Sequence, residues 1–173
     1  RFYSKQDEFK IISELILLSN PEKEYPTIYL WPEGIIPDSN IEDINFYKDL
    51  FLDNFGKDDL IIMGLNSEEK KDNESLLFNS MAVFDNKLDL IQSYNKVNLV
   101  PFGEYLPFMA FFKQLGFIKS SDNEQSGFSA GEGSKVLKSN IGWFRPLICY
   151  EAIFFHEIYN QNNPQFIVNV TND

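Results

Sequence analysis

Short apolar runs alternate along this chain with segments of helical period, and this alternation most limits what it can fold into. The runs at 27–31, 60–65, 143–148 and 165–170 are too short for helices. They are rich in β-branched and aromatic residues, which marks buried strands. Between them, residues 7–18 place Phe9, Ile12, Leu15 and Ile16 at helical spacing before the stop at Asn20-Pro21. Residues 41–54 do the same with Ile44, Tyr47, Leu50 and Phe51, ahead of Gly56. Residues 76–84 and 88–94 read as a strand pair turning at 85–87. A further strand is expected at 135–139, a polar, Gly-rich loop at 119–134 and a helix at 152–161. The expectation is an α/β fold with a largely buried sheet covered by helices.

Composition narrows the function classes. The 173 residues are 43% hydrophobic and 16% aromatic, enough for a substantial core. Acidic residues outnumber basic ones 26 to 15, a formal charge of -11. That balance argues against a nucleic-acid partner, because phosphate contacts need a basic face. One Cys and one His argue against a disulfide framework, a Cys-rich zinc site or a multi-histidine metal site. No cofactor or metal is expected. No run reaches the 18 or so apolar residues of a membrane-spanning helix. The chain opens without Met or a leader pattern and stops just after an apolar run, so it reads as part of a longer protein.

Four polar clusters follow apolar runs. Pro32-Glu33-Gly34 follows Trp31, Asn95-Lys96 follows Tyr94, Cys149-Tyr150-Glu151 follows Ile148, and Thr171-Asn172-Asp173 follows Val170. Binding crevices of open α/β sheets lie at the carboxyl ends of strands, so the clusters converge if these strands share a direction. Taken singly, each residue has a plainer reading. Cys149 reads as a buried small hydrophobe or as a nucleophile at the start of a helix, where a thiolate is favoured. His156 lies about two turns into the expected helix and reads as a surface residue, against a Cys–His dyad. Glu33 is either solvated or a general base with Trp31 and Pro32 as apolar neighbours. Lys96 is either a surface lysine or a fixed charge for an oxyanion. The tract 94–107 carries two prolines and a glycine in an apolar run, which suits a packed turn or a rigid pocket wall bearing Glu104.

Trp-Pro-Glu at 31–33, Tyr-Asn-Lys at 94–96, Leu-Val-Pro-Phe-Gly-Glu-Tyr-Leu-Pro at 99–107, Ile-Cys-Tyr-Glu at 148–151 and Thr-Asn-Asp at 171–173 occur in that order. Together they resemble the carbon–nitrogen hydrolase (nitrilase) superfamily, and within it the apolipoprotein N-acyltransferase branch. Asn98 stands where that branch commonly has His, and Gly34 where Ser or Thr is usual. The resemblance implies an α-β-β-α sandwich, of which residues 1–173 would be a catalytic domain incomplete at both ends. Membrane helices would flank it, outside this stretch, and it would sit on the periplasmic side of a bacterial inner membrane.

The resemblance also implies a Glu33–Lys96–Cys149 triad. Glu33 would accept the Cys149 proton, and Cys149 would attack the ester carbonyl of a phospholipid acyl chain. Lys96 and a backbone N–H near Tyr150 would hold the oxyanion. The thioester would then pass its acyl chain to the N-terminal amine of a lipidated Cys on an apolipoprotein. Glu104 and Glu151 would orient Lys96 and the amine. A soluble amidase or nitrilase with the same triad is the first alternative, and an inactive binding or scaffold domain the second. The four Phe of 107–118 suit either a lipid-facing arm or a core helix.

Overall fold

The computed structural model describes residues 4–36, 39–71, 74–105, 127–154 and 164–172. The first helix, α1 (Lys5–Ser19), starts on a reciprocal cap between Ser4 and Asp7 and ends at Asn20 in left-handed conformation. Strand β1 (Ile28–Leu30) follows. A 3-10 turn at Ile44–Tyr47 then runs into α2 (Lys48–Asn54). Strands β2 (Leu60–Lys71), β3 (Glu74–Phe84) and β4 (Leu90–Asn95) complete a four-stranded sheet ordered β1-β2-β3-β4. A second sheet holds β5 (Leu137–Ser139), β6 (Gly142–Ile148) and β7 (Phe166–Val170), in that order.

Strand directions meet the condition for convergence within each sheet. β1 is parallel to β2, and two antiparallel steps through β3 return β4 to the same direction. β6 and β7 are also parallel. The carboxyl ends of β1 and β4 therefore point one way in the first sheet, as those of β6 and β7 do in the second.

The first sheet is buried on both faces, which explains why β2 reads as a continuous apolar run. Ile61, Met63, Leu65, Ala82 and Phe84 pack with Ile12 and Ile16 of α1 and with Phe51 of α2. The alternate residues Ile62, Met81, Val83 and Tyr94 pack with Phe144, Ile148, Val168 and Val170 of the second sheet. The layers are thus helices, sheet, sheet. Among the described residues no α-helix covers the outer face of the second sheet, where Trp143 and Ile167 are half exposed.

Two expectations change. Residues 66–71 were expected outside any strand, yet β2 and β3 continue as a hairpin arm pairing Ser67 with Phe78 through Lys71 with Glu74. Most of this arm on β2 is exposed, so its charged side chains carry no burial cost. The helix expected at 152–161 is instead a 3-10 turn at Cys149–Ile153 over its described part. The remainder of that helix, His156 and the Phe-rich 107–118 lie outside the described residues.

Candidate active site

The inter-sheet core ends in polar groups at one edge. Two residues beyond Ile62 on β2 comes Gly64, two before Met81 on β3 comes Asn79, and two after Tyr94 comes Lys96. All share the face that looks toward the second sheet.

Glu33 is held there by backbone. Trp31 N–H donates to Ile62 O at 2.8 Å, Gly64 N–H to Pro32 O at 3.3 Å and Gly34 N–H to Gly64 O at 3.1 Å. The β1–β2 pairing thus runs on past Glu33. A Cβ on Gly64 would lie 2.5 Å from the Glu33 Cα, so only glycine lets the loop come this close.

Lys96 is 1% exposed at its side chain, and its Nζ lies 2.9 Å from Glu104 Oε1 and 3.6 Å from Glu33 Oε1. Its backbone N–H donates to Asn79 O at 2.8 Å. The Asn79 amide Nδ2 donates to Glu33 Oε1 at 2.6 Å and to Glu104 Oε1 at 2.7 Å. The tract around Pro101 forms a tight turn, with Glu104 N–H donating to Val100 O at 2.9 Å. Val100 N–H in return donates to Glu104 Oε2 at 2.8 Å. The proline-rich tract is therefore both a packed turn and the device that returns Glu104 to Lys96. Burial pushes the Glu104 carboxyl up. Hydrogen bonds from Lys96, Val100 and Asn79, with the Lys96 charge, outweigh that and hold it below the ordinary carboxylate value.

Residues 127–131 strap this loop down. Phe128 N–H donates to Glu104 O at 2.7 Å, and Gly131 N–H to Lys96 O at 2.8 Å. A Cβ on Gly131 would collide with the Asn95 carbonyl, so the strap needs glycine there.

Cys149 comes from the second sheet. It is half-buried, lies directly after β6 and has φ +53. That left-handed conformation is uncommon for a residue with a Cβ and is held by its surroundings. Glu151, two residues on, is 2% exposed. Its Oε1 accepts from Tyr94 OH at 2.9 Å, Val97 N–H at 2.9 Å and Asn98 N–H at 3.0 Å. Its Oε2 accepts from Ile148 N–H at 2.8 Å. One buried carboxylate thus ties the backbone after β4 to the backbone before Cys149. The resemblance gives Glu151 a part in orienting Lys96 and the amine. Its oxygens are taken by backbone and Tyr94, and its link to Lys96 runs through the N–H groups of Val97 and Asn98.

Tyr150 donates to Leu99 O at 3.4 Å, and its ring centroid lies 6.0 Å from Lys96 Nζ. It also forms one wall of an open groove of about 510 Å³, with Val97, Asn98, Leu99, Tyr105, Phe128 and Ala130. Such a volume falls in the roughly 300–1,000 Å³ range of small-molecule sites. The lining is mainly apolar, between the residues that follow Lys96 and the residue that follows Cys149.

The structure gathers Glu33, Lys96 and Glu104 into one bonded cluster. Cys149, Tyr150 and Glu151 share one turn, joined to that cluster's loop through Glu151 and Tyr150. Asn79 escaped the sequence reading. The available signal was a polar residue at 79 on the face that carries Met81 and Val83. Among the described residues no group of three or more His, Cys, Asp or Glu could hold a metal ion. The Lys96 ammonium occupies the place between two carboxylates that a cation would take.

The order of motifs and this geometry agree with the match found by comparison. Residues 57–173 match the carbon-nitrogen hydrolase family. The chain belongs to that family. Apolipoprotein N-acyltransferase of Brucella suis is 35% identical over 158 residues, which is 87% of this chain and 29% of that protein. The Sinorhizobium fredii protein of the same name is 34% identical over 155 residues, 86% of this chain and 28% of its own length. The chain thus spans under a third of these relatives. Among solved structures, a cysteine-to-alanine mutant of the Nesterenkonia AN1 amidase, from the nitrilase superfamily, has a TM-score of 0.61 at 16% identity. The match covers 99% of this chain and 61% of the amidase. XC1258 of Xanthomonas campestris, a CN-hydrolase superfamily protein, has a TM-score of 0.60 at 14% identity, covering all of this chain and 61% of that one. These likenesses show a nitrilase-type fold of two sheets with helices.

Proposed function

We propose that this chain is the catalytic part of an apolipoprotein N-acyltransferase working through Glu33, Lys96 and Cys149. Cys149 gives its proton to Glu33 and attacks the acyl ester of a phospholipid. Lys96 and the backbone N–H near Tyr150 stabilise the oxyanion, and the lysophospholipid leaves as its oxygen takes the proton held by Glu33. The amine of a lipidated N-terminal cysteine then attacks the thioester, and Glu33 serves again in proton transfer. Glu104 anchors Lys96, and Glu151 fixes the two loops. The reading places the domain on the outer side of a bacterial inner membrane, carried by segments beyond this stretch. Among the described residues no helix is long and apolar enough to cross a membrane.

The observation that carries this reading over a small-amide hydrolase is the open, mainly apolar groove lined by Val97, Leu99, Phe128 and Tyr150, which suits a hydrocarbon chain. It joins the 35% identity to proteins named for this activity. The test is the full-length protein in phosphatidylethanolamine vesicles with a peptide bearing a lipidated N-terminal cysteine. The expected products, by mass spectrometry, are N-acylated peptide and lysophospholipid in equal amounts. Free fatty acid without acylated peptide would overturn the transferase reading in favour of a hydrolase.

A further inference from the structure

The Asn79 carboxamide bridges two carboxylates that share a single cation. Its Nδ2 has two hydrogens, and one goes to each Oε1, at 2.6 Å for Glu33 and 2.7 Å for Glu104. In this arrangement both oxygens act as acceptors, which suits two ionised groups. Carboxylates this close repel, and one of an unsupported pair takes up a proton. Lys96 does not serve them equally, lying 0.7 Å nearer to Glu104 than to Glu33 (2.9 against 3.6 Å). Their second oxygens differ as well. Glu104 Oε2 is occupied by Val100 N–H, whereas Glu33 Oε2 accepts no hydrogen bond among the described residues. Asn79 also fixes Lys96 itself, because its backbone oxygen accepts the Lys96 N–H. Its own position is rigid, between fully buried Ser80 and the paired strands β2 and β4.

We propose that Asn79 is a positioning residue that holds Glu33 and Glu104 side by side and assigns Lys96 to Glu104, leaving Glu33 to accept the Cys149 proton. This rests on the triad proposed above. Without the amide, Lys96 shifts toward both carboxylates or one of them binds a proton. Either change leaves Glu33 less well placed to take the Cys149 proton, so the thiolate forms less readily. Its side-chain bonds go to Glu33 and Glu104, so its effect travels through the two carboxylates and the lysine they share.

The experiment reads the pH dependence of Cys149 alkylation by iodoacetamide in the full-length protein, followed by mass spectrometry of the Cys149 peptide. Asn79→Leu removes both donors at similar volume. Asn79→Asp keeps the shape, removes the donors and adds a charge, and it serves if the leucine variant does not fold. Both are expected to raise the alkylation midpoint by about one pH unit, a tenfold change in thiolate fraction below it. In a Glu33→Gln background the same substitutions are expected to have no further effect. If Glu33→Gln itself leaves the profile unchanged, the triad reading falls and this inference with it. If Glu33→Gln moves the profile and the Asn79 variants do not, the inference alone is overturned. It is also overturned if the Asn79 variants shift the profile equally with and without Glu33, since the effect is then structural.

Discussion

The two faces of the first sheet are built to different rules. Toward the helices, Phe51, Phe55, Trp31 and Tyr29 pack ring against ring with Ile12, Ile44 and Ile61. Toward the second sheet, the apolar packing of Ile62, Met81 and Tyr94 gives way at one edge to Lys96, Asn79, Glu33, Glu104 and Glu151. Apolar burial dominates the first face, roughly in proportion to area, with Glu8 a buried carboxylate on that side. The second holds buried charges, which are tolerated only while each keeps its partners. Stability and chemistry therefore sit on opposite sides of one sheet, and substitutions should separate them.

The largest effect is expected at the polar edge. Glu151→Ala removes the shared acceptor of the Val97, Asn98 and Ile148 N–H groups and the Tyr94 hydroxyl, and leaves the part-buried Val97 donor and the buried Ile148 donor without it. The expected loss is about 4 kcal/mol in urea unfolding, since each buried unsatisfied group costs about 1–3 kcal/mol. It also frees the loops that carry Lys96 and Cys149, so Cys149 alkylation changes in parallel. On the other face, Phe51→Ala should cost about 3–4 kcal/mol through the cavity it leaves. Below its unfolding midpoint this variant should keep the wild-type alkylation profile. A changed profile in Phe51→Ala would break the separation of the two faces.

A smaller effect is expected from Gly64→Ala. The added methyl meets the Glu33 backbone, and relief of the overlap should cost about 1–3 kcal/mol while moving Glu33 off Asn79. Loss of Cys149 reactivity out of proportion to loss of stability is the expected result.

The smallest effect is acid sensitivity, and it occurs on both faces. Burial pushes Glu8 up, but Tyr47, Lys5 and Ser39 together hold it below its ordinary value of 4.5. Glu104 is held low in the same way at the site. A carboxyl lowered by folding stabilises the protein fully above its unfolded value. That stabilisation is lost as pH falls through the lowered one. Stability measured from pH 6 downward should decline below the ordinary carboxylate range. Glu8→Gln and Glu104→Gln should each flatten that decline, and only Glu104→Gln should alter alkylation.

The same division decides what could be read in advance. Glu33, Lys96 and Cys149 each stand within two residues of the end of an apolar run, and the ordered motifs around them carry the resemblance that singles them out. Asn79 lies inside a strand, next to Ser80, so two adjacent polar residues obscure which face is buried. Only the second sheet reveals that its face is buried. The β2–β3 arm was missed because charged residues 68–71 resemble a loop, while pairing to 74–77 depends on backbone alone. The turn at Cys149–Ile153 replaced the start of an expected helix because the Glu151 carboxylate bonds back to Ile148 and across to β4. Such long-range bonds leave no local pattern.

The proposed mechanism turns on Cys149 carrying the acyl group. It is tested most directly by peptide mass spectrometry of the full-length protein after incubation with a phospholipid of defined acyl chain and no acceptor. The predicted result is a mass increase of one acyl group on the Cys149 peptide, removed by hydroxylamine and absent in Cys149→Ala and Glu33→Gln. An unmodified Cys149 peptide under conditions where the same sample N-acylates an added acceptor would contradict it.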